Sequence, residues 1–274
     1  MNKNIVRIFF TYLILSLGAA LMIFPFFWMF SSALKTPAES ASFPPVWFPA
    51  VWQFGNFTKA LGYAPFGRYF LNSLLVTGSS VIVTGTTTIL ASFAFSRLQW
   101  KGRDLVFSLL LALMMVPFEM LIITNYQTIS KLGLNDTLLA LIIPFTSSIF
   151  YTYILRNFFL SIPDALYYSA RIDGASNWQY LWKIMVPIAK PSIVTIVLLN
   201  AIASWNSFMW PLLIINSKFN RTLPLGLYAF VTEAGTHFEL LMAASTLIVL
   251  PVIFVFIFAR KHIINGVARG GLKG

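Results

Sequence analysis

Few residues in this chain are equipped for chemistry, and most of them sit inside apolar runs. Glu119 lies two residues after Pro117 in MMVPFEMLII. A carboxylate at that depth in a membrane helix costs about 2.5–3.5 kcal/mol on insertion scales, so it is expected to face a helix bundle or a wet path. The competing reading is a structural hydrogen bond to a neighbouring helix or to the backbone that Pro117 frees. Asn200, Trp205 and Asn206 form a second group, and Tyr126, Tyr151 and Tyr153 are further polar aromatics. An aromatic face combined with planar polar groups suits a pyranose, which has apolar C–H faces and a hydroxyl rim. Trp205 and Trp210 also fit plain interfacial anchoring. Glu119, Tyr151, Asn200, Trp205 and Asn206 are therefore the candidate substrate-path residues, with Asn200 the best placed to line a pore.

Other chemistries find no support. Cysteine is absent, so disulfides and thiolate metal sites are excluded. The two histidines, His237 and His262, lie in unrelated segments, and no metal site is expected. No G-x-x-x-x-G-K-[ST] pattern occurs, so the chain is not expected to bind or hydrolyse ATP itself. No catalytic triad suggests itself, and the expectation is of a protein that is not an enzyme.

These residues must be positioned by membrane helices. Hydrophobic residues make up 58% of the chain and charged ones 10%, against about 25% charged in a soluble domain. Six runs have the roughly 20 residues that a spanning helix needs. They lie near Ile8–Phe30, Leu71–Phe95, Leu105–Ile123, Leu138–Leu155, Ile184–Ala203 and Leu240–Ala259. The first is longer than the roughly 7–15 apolar residues of a signal peptide and reads as an uncleaved span. The expected fold is an all-α integral membrane protein with six transmembrane helices in one domain, 1–274. Placing the N-terminus inside puts most of the 19 Lys and Arg in the cytoplasm; only Lys35, Lys59, Arg68, Lys131, Lys218 and Arg221 fall outside. That bias predicts cytoplasmic termini, and it accounts for the net charge of +11 without nucleic acid. The Pro- and Trp-rich segment 31–69 is expected outside, as a turn-rich cap on the membrane surface.

The segment 156–183 is too long for a simple turn between antiparallel helices, which takes about 2–8 residues. Ser161-Ile-Pro-Asp164 and Ser176-Asn-Trp-Gln179 both have helix-start chemistry. Gly174 is suited to end a helix in a left-handed conformation. The spacing predicts a short helix over 162–173, a stop, and a new helix entering the membrane. Ala165, Leu166, Ser169, Ala170 and Ile172 give the short helix small or apolar side chains. Two readings stand: an interfacial helix resting on lipid headgroups, or a docking knob for a soluble partner.

At these residues the chain resembles the permease subunits of bacterial ABC importers, in the carbohydrate branch that includes the second maltose-permease subunit. The family's EAA-type loop corresponds to Tyr168-Ser-Ala-Arg-Ile-Asp-Gly-Ala175 followed by Ile184-Met-Val-Pro187. Tyr168 stands where the family has Glu, and Ser169 replaces the next Ala. FLNSLLV (70–76), FAFSRLQWKGRD (93–104), MMVPFEM (114–120), SWNSFMWPL (204–212) and GVARGGLKG (266–274) also resemble family elements, in the family's order.

The resemblance implies a type I importer permease fold, in the bacterial inner membrane. It implies a second permease, a cytoplasmic ATPase dimer that holds the ATP and Mg, an external solute-binding protein and a lipid bilayer as partners. No cofactor is implied on this chain. It implies that Ala165, Leu166, Tyr168, Ser169, Ala170, Arg171, Asp173, Gly174 and Ala175 meet the ATPase, within a cytoplasmic loop over 156–183. A tail over 260–274 would touch it through Gly271, Leu272, Lys273 and Gly274. The solute would be a sugar or oligosaccharide; a polyol or a sugar phosphate is the alternative, and a membrane scaffold is the rival outside transport. Tyr at 168 offers no carboxylate, so an ion pair there would give way to packing and hydrogen bonding.

Overall fold

In the computed structural model, which describes residues 3–232 and 235–270, helices dominate. We label them α1 (Lys3–Ala33), α2 (Gly55–Tyr63), α3 (Phe66–Ser96), α4 (Arg103–Leu113), α5 (Phe118–Lys131), α6 (Leu138–Ile142), α7 (Ile149–Leu160), α8 (Asp164–Ile172), α9 (Asn177–Tyr180), α10 (Lys190–Trp205), α11 (Met209–Ile214) and α12 (Phe238–Gly270). Among the described residues, three stretches are single helices long and apolar enough to cross a bilayer: Val6–Ala33, Phe66–Ser96 and Phe238–Ile257.

The other three expected spans are broken. The pair α4 and α5 meets at 99°, the stretch Leu138–Phe145 meets α7 at 44°, and Asn177–Ile188 meets α10 at 80°. The third run, expected as one helix, is interrupted at Met114–Pro117. Proline cannot donate to the helix ladder and drives the preceding residue out of the α region. Pro117 itself has φ −61 and ψ 142, extended rather than helical. The fifth run breaks at Ala189, between Pro187 and Pro191. A π-helical stretch over Leu181–Met185 precedes that break.

The chain forms two compact units. One comprises Met1–Gly67 and Gly226–Ile253. In it the Pro-rich segment folds back along α1: the Trp47 ring lies 5.9 Å from Phe24 and 5.8 Å from Trp28, and Phe48 lies 5.6 Å from Phe27. Thr36 and Glu39 form a capping box, and Glu39 also accepts from the Ala50 N–H. Lys35 is buried, with its ammonium 4.0 Å above the Trp28 ring. Asn56 closes this turn by donating to the carbonyls of Ala33 and Lys35, both at 2.9 Å. Phe230 stacks on Tyr63 and Phe66. A pair of two-residue antiparallel strands, Val231–Thr232 and Gly235–Thr236, sits within the otherwise helical fold.

The second unit, Arg68–Leu225 with Phe254–Gly274, holds the residues of functional interest. One of its cores gathers Phe93, Leu155, Phe159, Ala170, Tyr180 and Met185. Another gathers Val76, Ile129, Leu141, Trp210, Ile214 and Leu225. Trp210 is 2% exposed and donates its indole N–H to the Ala140 carbonyl at 2.9 Å, so it is a core residue and not the interfacial anchor its position suggested. Asp136 ties two connections together: its carboxylate accepts from the N–H groups of Asn216 and Ser217, each at 3.0 Å, and from the Ser217 hydroxyl at 3.1 Å.

Candidate functional site

The helix α8 owes its short length to its ends. It starts at Asp164 with Pro163 as N-cap and no side-chain cap. The expected Ser161 cap is not made: the Ser161 hydroxyl donates to the Phe158 carbonyl at 2.7 Å and closes α7 instead. At the other end Gly174 has φ +80. The Gly174 N–H donates to the Arg171 carbonyl at 3.1 Å, and the Ala175 N–H to the Ala170 carbonyl at 2.9 Å. This pair of bonds is a Schellman motif, which needs a left-handed residue where Gly174 stands. Arg171 clamps the turn by donating to the Ala175 carbonyl at 3.0 Å. The second helix start forms as expected, with Ser176 and Gln179 in a reciprocal capping box.

One face of α8 is anchored and another is bare. Ala170 is buried and Tyr167 half-buried; the Tyr167 hydroxyl donates to Asn177 Oδ1 at 3.0 Å. Ala165, Leu166, Tyr168, Ser169, Arg171, Asp173 and Gly174 are exposed, with Ala175 half-buried at the turn. Ile172 is 85% exposed and Tyr168 61%. A small helix with a closed and clamped C-terminal turn, and with apolar side chains left bare, offers a surface for another body to cover.

A cleft of about 310 Å³ lies in the same unit. Ser80 and Thr84 of α3, Ser148 and Tyr151 at the start of α7, and Asn200 and Ser204 of α10 supply its polar lining. Phe145 and Trp210 supply apolar surface. The Ser80 hydroxyl donates to Asn200 Oδ1 at 3.1 Å, and Thr84 donates to the Phe145 carbonyl at 2.6 Å. The break between α6 and α7 ends here, with the Ser148 hydroxyl accepting from the Tyr151 N–H at 3.3 Å.

Of the expected path residues, the fold brings Tyr151 and Asn200 together on this cleft. The other three are not among its lining residues. Trp205 is 8% exposed, with its ring centroid 5.9 Å from that of Phe70 in an edge-on arrangement. Asn206 is exposed just beyond the end of α10. Glu119 is exposed in the first turn of α5, where a carboxylate favours the helix dipole. The expected bond to the backbone freed by Pro117 is replaced by this terminal position, because Pro117 starts a new helix instead of kinking an old one. Gly271, Leu272, Lys273 and Gly274 lie outside the described residues.

Sequence reasoning missed two features. Along α3, Asn72, Val76, Ser80, Thr84, Thr88, Ser92 and Ser96 recur at every fourth residue, and all are buried. Asn72 donates to the carbonyls of Phe219 and Arg221, and Ser92 to that of Thr152. Small hydroxyl and amide side chains let membrane helices approach closely and bond across the contact. The four-residue spacing was a readable signal. The second feature is a pair of arginines, Arg97 and Arg156, at the foot of this helix.

Helices broken beside a hydroxyl-lined cleft are the architecture of a membrane permease, since irregular backbone at membrane depth is tolerated where it lines a cavity. The family model described as "binding-protein-dependent transport system inner membrane component" matches residues 87–269. The arabinooligosaccharides transport system permease protein AraQ of Bacillus subtilis (strain 168) is 33% identical over 227 residues, 82% of this chain and 81% of that protein. The diacetylchitobiose uptake system permease protein DasC of Streptomyces coelicolor is 30% identical over 261 residues, 92% of each chain. A chain in the crystal structure of a bacterial ABC transporter that imports the acidic polysaccharide alginate shares the fold, with TM-score 0.83 and 24% identity over 95% of this chain and 98% of that one. This chain belongs to the family of binding-protein-dependent transport system inner membrane components, the multi-spanning permeases of ABC importers.

Proposed function

We propose that this chain is one of two permeases that together form the translocation path of an importer for a sugar or oligosaccharide. ATP and Mg are handled by a cytoplasmic ATPase dimer, and an external binding protein delivers the solute. The observation that carries the reading is α8: a short helix closed by the clamped turn at Gly174, with Tyr168 and Ile172 bare on its surface. Of the two readings of this segment, a docking knob accounts for the Schellman stop and the Arg171 clamp better than a helix floating on headgroups does, because lipid requires no fixed terminus. In this role Tyr168 contacts the ATPase by packing. Both termini lie in the cytoplasm, and the tail at Gly271–Gly274 reaches the ATPase.

A saccharide is supported by the cleft, whose hydroxyls, Asn200 amide and aromatic rings match a hydroxyl rim and C–H faces. It is also supported by relatives named for arabinooligosaccharides and diacetylchitobiose. A solved relative structure holds an alginate pentasaccharide-bound periplasmic protein.

The test is purification from the native membrane in mild detergent, with mass spectrometry of the co-purifying chains and saccharide uptake by the reconstituted complex. A second permease, an ATPase and ATP-dependent uptake are expected. A chain that emerges alone from several detergents and binds no ATPase on addition would refute the reading.

A further inference from the structure

We propose that Arg97 is a positioning residue that locks α8 to α3, so that the docking helix and a cleft-lining helix move as one body. This rests on α8 being the ATPase contact. Arg97 is the first residue after α3, and its side chain is 5% exposed. One guanidinium nitrogen, Nη2, donates to the carbonyl of Phe159 at 2.7 Å and to that of Ile162. The other, Nη1, pairs with the carboxylate of Asp164, the first residue of α8. A single planar group thus holds the end of α7, the connection and the start of α8.

The arrangement is reciprocal. Arg156 of α7 donates its Nε to the Phe95 carbonyl, in the last turn of α3, at 3.0 Å. Each arginine therefore satisfies a terminal carbonyl of the other's helix, where the dipole favours a cation. Arg97 offers several donors in a rigid fork, which the point charge of a lysine does not reproduce.

The clasp matters because of what the alternatives are. From α8 to the cleft residue Asn200, the chain itself passes the π-helical stretch and the 80° break at Ala189. That route crosses two interruptions of the α-helix. From Arg97 to Thr84 the route is one unbroken helix, 13 residues and about 20 Å long at 1.5 Å per residue. A displacement of α8 reaches Ser80 and Thr84 through Arg97 without crossing a break.

The chain has no native cysteine, so two introduced thiols can be spin-labelled cleanly. The pair Leu90→Cys and Pro163→Cys reports the distance between α3 and the start of α8; both positions are exposed, and neither is among the residues assigned to the ATPase contact. In the assembled complex we expect one narrow distance that is the same without nucleotide and with ATP. Adding Arg97→Gln should broaden it, in the complex and in the isolated chain alike. In the unlabelled complex Arg97→Lys should lower transport per ATP hydrolysed by about tenfold with the ATPase still bound, because the fork is lost while the charge stays. Asp164→Asn should cost less than about twofold, since that carboxylate is 71% exposed and an exposed pair contributes little.

A wild-type distance that changes on ATP binding would overturn the proposal. So would full coupling in Arg97→Gln. If no ATPase binds at all, the permease reading fails instead, and the isolated-chain distances still decide whether the clasp exists.

Discussion

Gly174 offers the sharpest test of how α8 is held, because its cost is separable from its surroundings. Its φ is +80, and a Cβ built there meets no other atom within 4 Å. Steric clash therefore contributes nothing, and any penalty is backbone conformation alone. An alanine forced into the left-handed region costs about 1–2 kcal/mol, while asparagine visits that region more readily. The two Schellman bonds at 3.1 and 2.9 Å are what the turn holds, each worth about 0.5–1.5 kcal/mol net. The penalty is thus comparable to the bonds, and the turn should open rather than strain. Opening frees the end of α8 and the Ala175 carbonyl that Arg171 holds. A shift of 1–2 kcal/mol is about a 5–30-fold change in the closed-to-open ratio. Transport and ATP hydrolysis should be measured together in proteoliposomes for Gly174→Asn, Gly174→Ala and Gly174→Val. Transport per ATP should fall in that order, with asparagine within a few-fold of wild type and valine worst. The melting temperature of the complex should hold, because the turn is exposed. If Gly174→Val transports normally, the turn does not position α8 for coupling. If asparagine is as damaging as valine, side-chain bulk against the partner is the cause and the conformational reasoning is wrong.

Other predictions follow from the second unit and from the Pro-rich segment. Burial pushes the Asp136 carboxyl up, but donors from Ser217 and Asn216 outweigh it and hold it below the usual carboxylate range. A carboxyl depressed on folding stabilises fully above its unfolded pKa of about 3.9 and loses that contribution as pH falls through the folded value. Denaturation of the wild type below about pH 4 should therefore include a contribution that Asp136→Asn removes, and Asp136→Ala should cost about 1–3 kcal/mol at neutral pH by leaving backbone donors unpaired. Asn200→Ala should lower saccharide uptake with assembly intact, and Ser80→Ala should do so less; unchanged uptake in both would remove the cleft from the path. Finally, α1 from Arg7 to Phe27 spans about 30 Å, the thickness of the hydrocarbon core, which sets Trp47 and Phe48 near one boundary of the lipid. A spin label on Phe43→Cys, a position 94% exposed, should then be relaxed by oxygen more than by a water-soluble nickel reagent; the reverse would put this segment in water or against a partner.

The positions of the spans were legible because hydropathy reports composition, and composition decides whether a run tolerates lipid. Their directions were not, because a bend depends on a few residues that hydropathy averages away. Pro117, Pro187 and Pro191 were all visible, yet nothing in the sequence distinguishes a mild kink from the 99° turn between α4 and α5. The difference lies in whether the following residues begin a new helix, which packing decides. The stop at Gly174 and the box at Ser176 were legible for the opposite reason: both are local chemistry, complete within six residues. Ser161 looked like the same chemistry and failed, because its hydroxyl had a nearer acceptor at the end of α7. Arg97 was hidden by its own explanation. As one more positive charge on a short loop it fits the orientation rule, and that rule asks for nothing further. Its three acceptors lie more than sixty residues away in sequence, so no local pattern marks it. A charge that sets orientation need only be near the membrane surface. One that is buried and joins three segments at a helix junction has a second role, and at the foot of the cleft helix that role is mechanical.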